Sequence, residues 1–142
     1  MNTVAEVRLA TSIAEIQRCL PAILQLRPHL QANSFVRQVQ EQKSTGYQLA
    51  YLQANNIVGV AGFNLAQNLA WGKHLYVADL VIDANRRSQG YGEILFSWLV
   101  EYAKSNNCQQ LHLDSGVQRF DAHRFYLRQK MNISSHHFSL KL

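Results

Sequence analysis

An apolar, strand-like run, Leu75–Ile82, gives way at Asp83 to a polar stretch and then to Gly90-Tyr91-Gly92 at the head of an amphipathic segment. A loop that enters a helix in this way leaves several backbone N–H groups without intrahelical partners and aims them at one point. The helix dipole adds partial positive charge there. Glycine lets a ligand approach the backbone with no Cβ in the way. Such an assembly suits phosphate or pyrophosphate. Arg86 and Arg87 stand beside it and can add charge-assisted hydrogen bonds. Two nucleotide motifs do not fit. No glycine is followed, after four intervening residues, by Gly-Lys-Ser or Gly-Lys-Thr, and Leu95 stands where a dinucleotide fingerprint needs its third glycine.

The pattern Arg87-x-x-Gly90-x-Gly92 after an apolar strand resembles the coenzyme A loop of the GNAT family, the GCN5-related N-acetyltransferases, in a small single-domain bacterial form. The stretch Asp79–Leu95 matches that family's strand-loop-helix unit without a gap. Ala122-His123-Arg124-Phe125-Tyr126 falls where the family carries an Ala-x-x-x-Tyr helix, and Leu113-Asp114-Ser115-Gly116 is similar to a bacterial subgroup. The resemblance implies acetyl-CoA as cosubstrate and direct transfer of acetyl to a primary amine of a small molecule or peptide. It places the backbone of Ser88, Gln89, Gly90, Tyr91, Gly92 and Glu93 on the pyrophosphate. It pairs the backbone of Leu80, Val81 and Ile82 with the pantetheine arm, with Arg86 and Arg87 at hand for the phosphates. It puts the thioester where the fourth and fifth strands splay apart.

By the same resemblance Tyr126 is the general acid for the departing thiolate. Asp79 orients or deprotonates the amine, and Asp114 is the second candidate. Without the family, Tyr126 reads as a core aromatic beside Phe125 and Leu127, and Asp114 as a cap for the turn at Ser115-Gly116. Three positions depart from the family pattern. Ala78 removes one of two usual carboxylates. Arg119 stands where relatives often carry an asparagine that touches the coenzyme. Lys130-Met131 replaces Gly-Phe, which suggests a different turn after the last helix. The sparse acid–base inventory and the lost glycine leave an alternative open: a non-catalytic acyl-CoA-binding regulatory module. The charges of Asp79 and Asp114 lean, weakly, toward a cationic acceptor.

The elements that must carry these residues follow from periodicity. Val4–Leu9 alternates as a strand. Ser12 with Glu15 fits a capping box for a helix that Pro21 should end or kink. Pro28 is a second break, and Ser34 is the candidate cap of a second short helix. Tyr47–Ala54 and Ile57–Leu65 read as a hairpin about Asn55-Asn56. His74–Ile82 is the next strand, and the run from Gly90 to Ser105 is an amphipathic helix. Gln110–Leu113 is a short strand, Asp121–Lys130 a helix, and Ile133–Leu142 a closing strand. The sum is an α/β fold: a mixed, mostly antiparallel central sheet with helices on both faces, of the GNAT acyltransferase type, in one domain over 1–142.

Composition narrows the classes further. With 142 residues, 47% hydrophobic and 16% charged, the chain can fill a core and is neither disordered nor fibrous. Two cysteines exclude a disulfide framework and any Cys-x-x-Cys site. The six histidines show no ligand spacing, since His136 and His137 face opposite sides of a strand, so no metal is expected. The net charge of +5 is spread without a basic tail, so no nucleic-acid partner is expected. There is no run of about 20 apolar residues and no leader-like N-terminus, so neither membrane nor export is expected. A cytoplasmic protein follows, with a homodimer among its expected states.

Overall fold

In the computed structural model, which describes residues 4–142, the chain divides into two compact units, one up to His112 and one from Leu113 to Leu142. The first holds strand β1 (Glu6–Leu9), helices α1 (Ile13–Leu26) and α2 (Ala32–Lys43), strands β2 (Tyr47–Ala54), β3 (Asn56–Asn68) and β4 (Gly72–Ile82), and helix α3 (Tyr91–Ser105). Strand β5 (Gln110–Leu113) closes it, and helix α4 (Phe120–Arg128) belongs to the second unit. The strands lie in the order β1-β2-β3-β4-β5, antiparallel except for β4 and β5, which run parallel. Parallel neighbours need a crossover, and α3 supplies it.

Helix α1 begins as its residues dictate. The Ser12 side chain accepts from the Glu15 N–H, and the Glu15 carboxylate reaches back to the Ser12 N–H. Tyr51 also donates to Glu15 at 2.7 Å, and these bonds hold the Glu15 carboxyl down at about 2. Ile16, Cys19, Ala22 and Ile23 recur on one face and are buried. Burial pushes the Cys19 thiol up to about 12, so it stays protonated and inert. The helix does not stop at Pro21 but runs through it to Leu26. Proline removes one helical bond, yet Ala22 and Ile23 beyond it are seated in the core, and that packing carries the helix onward. Helix α2 starts at Gln31 with no side-chain cap, and Ser34 lies inside it, donating to the Gln31 carbonyl at 3.3 Å.

Helices α1 and α2 cover one face of the sheet, burying Tyr47, Leu49, Tyr51, Val60 and Val81 with Phe35 and Val39. Leu95, Phe96, Leu99 and Ala103 are the buried residues of α3, whose Trp98 and Tyr102 meet Phe63 edge-on at 6.0 and 5.2 Å between ring centroids. Each buried Leu or Phe contributes about 1.5–3 kcal/mol. The β2–β3 hairpin turns at Asn55 alone, which takes a φ of +67° while Ala54 pairs with Asn56.

The second unit contains α4 and no strand beyond Leu113. The alternation in Ile133–Leu142 is a strand pattern, but Ile133, Phe138, Leu140 and Leu142 are all exposed. An alternating pattern forms a strand only where one face finds a surface to bury on, and the described sheet therefore has five strands rather than six. At the end of α4, Lys130 N–H reaches Leu127 O and Met131 N–H reaches Tyr126 O, with Lys130 at φ +66°. This is the left-handed helix end that glycine usually supplies, so a lysine here adopts a glycine-type turn at a conformational cost of about 1 kcal/mol. The expected change of turn does not occur. Lys130→Gly should raise stability by about 1 kcal/mol; a urea-unfolding midpoint that stays level or falls would contradict this.

Candidate active site

The loop after β4 is pinned before it turns. Asp83 accepts from the Asn85 N–H at 3.1 Å, capping a short 3-10 turn over Ala84–Arg86. Gln25, in the last turn of α1, donates to Asp83 at 3.3 Å and accepts from the Ala84 N–H at 2.9 Å. The Asn85 N–H and the Gln25 amide together hold the Asp83 carboxyl below its usual range. Ser88 and Gly90 then both take left-handed φ values, +62° and +85°. Gly90 is the N-cap of α3 and no side chain caps this end. The first helical bond here runs from the Ile94 N–H to Gly90 O at 3.2 Å, which leaves the N–H groups of Tyr91, Gly92 and Glu93 ahead of it without helical acceptors. A Cβ built on Gly90 meets nothing within 4 Å. Uncapped donors, a helix dipole and open backbone fit a pyrophosphate group.

The two arginines beside this loop differ in use. Arg86 folds back, donating to the Tyr91 hydroxyl at 3.0 Å with its guanidinium 5.3 Å from that ring's centroid. Arg87 is exposed and makes one long bond, to Ile82 O at 3.4 Å. On β4, Leu80, Val81 and Ile82 pair with Ala61, Val60 and Gly59 of β3. Strand β5 starts beside the head of β4, where the Gln109 N–H reaches Lys73 O at 2.7 Å, and spans only Gln110–Leu113. The far half of β4 thus has a strand on one side only among the described residues, as expected for a splayed pair.

Asp79 is placed by an irregularity of β4. The register runs Gly62↔Asp79 and then Phe63↔Val77, so Ala78 is an extra residue. Residues opposite one another in an antiparallel pair share a face. Val77 therefore lies on the α3 side with Phe63, whereas Asp79 and Val81 lie on the α1–α2 side. The bulge re-aims the carboxylate. There Asp79 Oδ1 accepts from Arg27 Nε at 3.1 Å and Oδ2 accepts from the Tyr47 hydroxyl at 2.8 Å. Arg27 also donates to Ala78 O, at 3.1 Å, fastening the end of α1 to the bulge itself. Burial, reinforced by the Asp79 charge, holds the Tyr47 phenol far above the usual tyrosine range, so it remains a donor. A cavity of about 360 Å³ opens beside this group, lined by residues of α1, α2, β2 and the α1–α2 loop as well as Asp79.

The other two candidates lie in the second unit. Asp114 faces His137 Nδ1 at 3.5 Å. Tyr126 sits on α4, where burial raises its phenol above the ordinary range, partly opposed by the Arg119 guanidinium. Arg119 precedes α4 and its N–H closes a turn on Gly116 O at 3.0 Å. No group of three or more His, Cys, Asp or Glu side chains able to hold a metal ion occurs among the described residues, and no described helix is long and apolar enough to cross a membrane.

The sequence model of the acetyltransferase (GNAT) family matches residues 12–131. This chain belongs to that family. The acetyltransferase is 32% identical to an uncharacterized N-acetyltransferase of Bacillus subtilis, YhdJ, over 118 residues, 82% of this chain and 83% of the relative. It is 30% identical to the aminoalkylphosphonate N-acetyltransferase of Salmonella typhimurium over 97 residues, 68% of this chain and 62% of that one. An aminoglycoside N-acetyltransferase solved in complex with CoA superposes with a TM-score of 0.88, covering 100% of this chain and 97% of its own, at 9% identity, which speaks for the fold. The protein is an N-acetyltransferase that transfers acetyl to an amine.

Two partners of Asp79 carried no signal in the sequence: Arg27 and Tyr47, which lie 52 and 32 positions from it. Gly62 is the residue that lets them meet. A Cβ there would fall 1.7 Å from the Tyr47 hydroxyl and 2.8 Å from Asp79 Oδ2. Gly62→Ala should therefore destabilise the enzyme by about 1–3 kcal/mol, and Tyr47→Phe in the same chain should recover part of that loss. Equal unfolding midpoints for wild type and Gly62→Ala would show that this contact does not constrain the fold.

Proposed function

We propose that the acetyltransferase takes acetyl-CoA as its cosubstrate and holds it by the backbone of Ser88–Glu93, with Arg87 and Arg119 toward the phosphates and the open edge of Leu80–Ile82 along the pantetheine arm. The observation that carries this reading is the uncapped start of α3, where Gly90 is left-handed and its approach is clear. Arg86 contributes through Tyr91, which it buttresses at the first turn of α3. Acetyl-CoA supplies the acetyl group as a thioester. The chain's own groups supply position and proton transfer, worth several kcal/mol when reactants are held in line.

Asp79 orients the amine. Each of its oxygens already accepts one bond, and a carboxylate has room for about four, so it can accept an N–H of the incoming amine. Both of its oxygens are already engaged by Arg27 and Tyr47, which fixes the carboxylate as an orienting group, and water carries the amine proton away. Tyr126 gives its proton to the departing thiolate; its burial favours the protonated phenol that this role requires. Asp114, facing His137, is left outside the chemistry. The acceptor is a primary amine on a small molecule rather than a large peptide, in keeping with the size of the cavity beside Asp79. The free thiols of Cys19 and Cys108 accord with a reducing, cytoplasmic setting. Exposed Phe138, Leu140 and Leu142 accord with a homodimer. Nucleic acid and membrane have no part in this reading.

Titration calorimetry with acetyl-CoA tests it. Wild type should bind with one saturable site in the micromolar range, about −8 kcal/mol. Gly90→Val, which puts a side chain in the path of the pyrophosphate, should weaken binding at least tenfold with unchanged far-UV circular dichroism; equal affinity would remove the loop from the site. Tyr126→Phe should lower kcat by about a hundredfold while coenzyme affinity stays level, and unchanged turnover would rule out Tyr126 as the acid.

A further inference from the structure

The cavity beside Asp79 has a charge balance that says which amines it suits. Asp79 is its one carboxylate, against Arg27 and the exposed His29, with the carboxamides of Gln38 and Gln42 and the Tyr47 phenol completing the polar lining. Arg27 and Asp79 cancel, being paired at 3.1 Å. No acidic group is left over to balance a second positive charge on a ligand. A diamine or polyamine would leave one ammonium in this cavity unpaired, which is costly. The cationic preference suggested by Asp79 in the sequence is therefore lost once Arg27 is in place.

Arg27 has capacity to spare. A guanidinium carries five N–H donors. The described bonds use two of them, Nε to Asp79 and one on Nη2 to Ala78 O. The side chain is 39% exposed, on the cavity wall. A guanidinium fixed by two bonds on one side, with N–H groups unspent on the other, is pre-organised for a planar or tetrahedral oxyanion. His29, two residues on in the same wall, can supply another N–H, and Gln38 and Gln42 lie one helical turn apart on α2.

We propose that the acceptor is a small amine that itself bears an oxyanion (carboxylate, phosphonate or phosphate) a few carbons from the amino group. Arg27 binds the oxyanion with help from His29, and the amine lies toward Asp79. Arg27 is then a specificity-determining residue. This rests on the acetyltransferase reading above and names the substrate class of that same site.

The test compares amines matched in length: 4-aminobutanoate and 3-aminopropylphosphonate against 1-aminobutane and 1,4-diaminobutane, each with acetyl-CoA, by release of free thiol. At least one anionic amine should exceed both others in kcat/KM by tenfold or more. Arg27→Met should flatten that preference chiefly through KM, and Arg27→Lys should restore part of it. The proposal is overturned if the plain amine or the diamine is used as well as the anionic amines, or if the preference survives in Arg27→Met. If no amine is turned over, calorimetry of the same four compounds decides. Saturable binding of an anionic amine that Arg27→Met abolishes supports the proposal; absence of binding by both anionic amines overturns it. Acetyl-CoA titrated in the same instrument keeps the two readings apart: if it binds while the amines show no preference, only the substrate class fails, and if it does not bind, the acetyltransferase reading fails on its own.

Discussion

One extra residue in β4 sets the site. The bulge at Ala78 turns Asp79 from the α3 side of the sheet to the α1–α2 side, and everything near it is arranged around that turn. Gly62 leaves room for the Tyr47 hydroxyl to reach the carboxylate. Arg27 ties both the carboxylate and the bulged carbonyl to the end of α1. Two residues earlier, Gln25 ties the same helix to Asp83 and Ala84, where the glycine loop begins. The last turn of α1 and its cap thus position both the Asp79 carboxylate and the start of the glycine loop. That turn exists only because α1 continues past Pro21. Had the helix ended at the proline, Gln25 and Arg27 would not reach their partners.

Several of the chain's positive charges make bonds within the fold. Arg86 lies on Tyr91, Arg27 on Asp79, and Lys43 on the Ala10 carbonyl at 2.9 Å. What faces a ligand at the loop is chiefly backbone N–H and the end of a helix dipole, with Arg87 beside it. Backbone donors of this kind have fixed directions and lose no side-chain entropy when an anion binds. A net charge of +5 read from the sequence therefore says little about where an anion is held; the spacing of Gly90 and Gly92 says more.

The loop was legible for that reason. Its chemistry is local, written in consecutive residues, and the strand before it and the helix after it each carry a clear period. Ser12 and Glu15 were legible in the same way, as a cap within four residues. The bulge was not, because alternation through Val77-Ala78-Asp79 reads equally well with or without an extra residue, and only pairing with β3 decides it. Arg27 and Tyr47 could not be connected to Asp79, since nothing local marks a contact across 52 or 32 residues. Of the two outcomes expected at Pro21, an end to the helix does not occur, because core burial sustains a helix that local backbone preference opposes. Lys130 misled: the missing glycine suggested a new turn, yet the helix end took the glycine conformation regardless. The alternation of Phe138, Leu140 and Leu142 predicted a strand where the described sheet has none.

These misses share a cause, and it bears on mechanism. Sequence alone presents Asp79 as an isolated carboxylate in an apolar strand, open to either orienting or deprotonating an amine. In the fold it is one member of a three-residue group whose other members are donors. A carboxylate that already accepts from a guanidinium and a phenol is fixed in orientation, with lone-pair sites still open. What it retains is direction: two lone-pair sites, held by Arg27 and Tyr47 at a set angle to the strand, against which an amine N–H can be aligned. In the proposed reading that direction orients the nucleophile, which suits a reaction whose barrier falls mainly by holding two substrates in line.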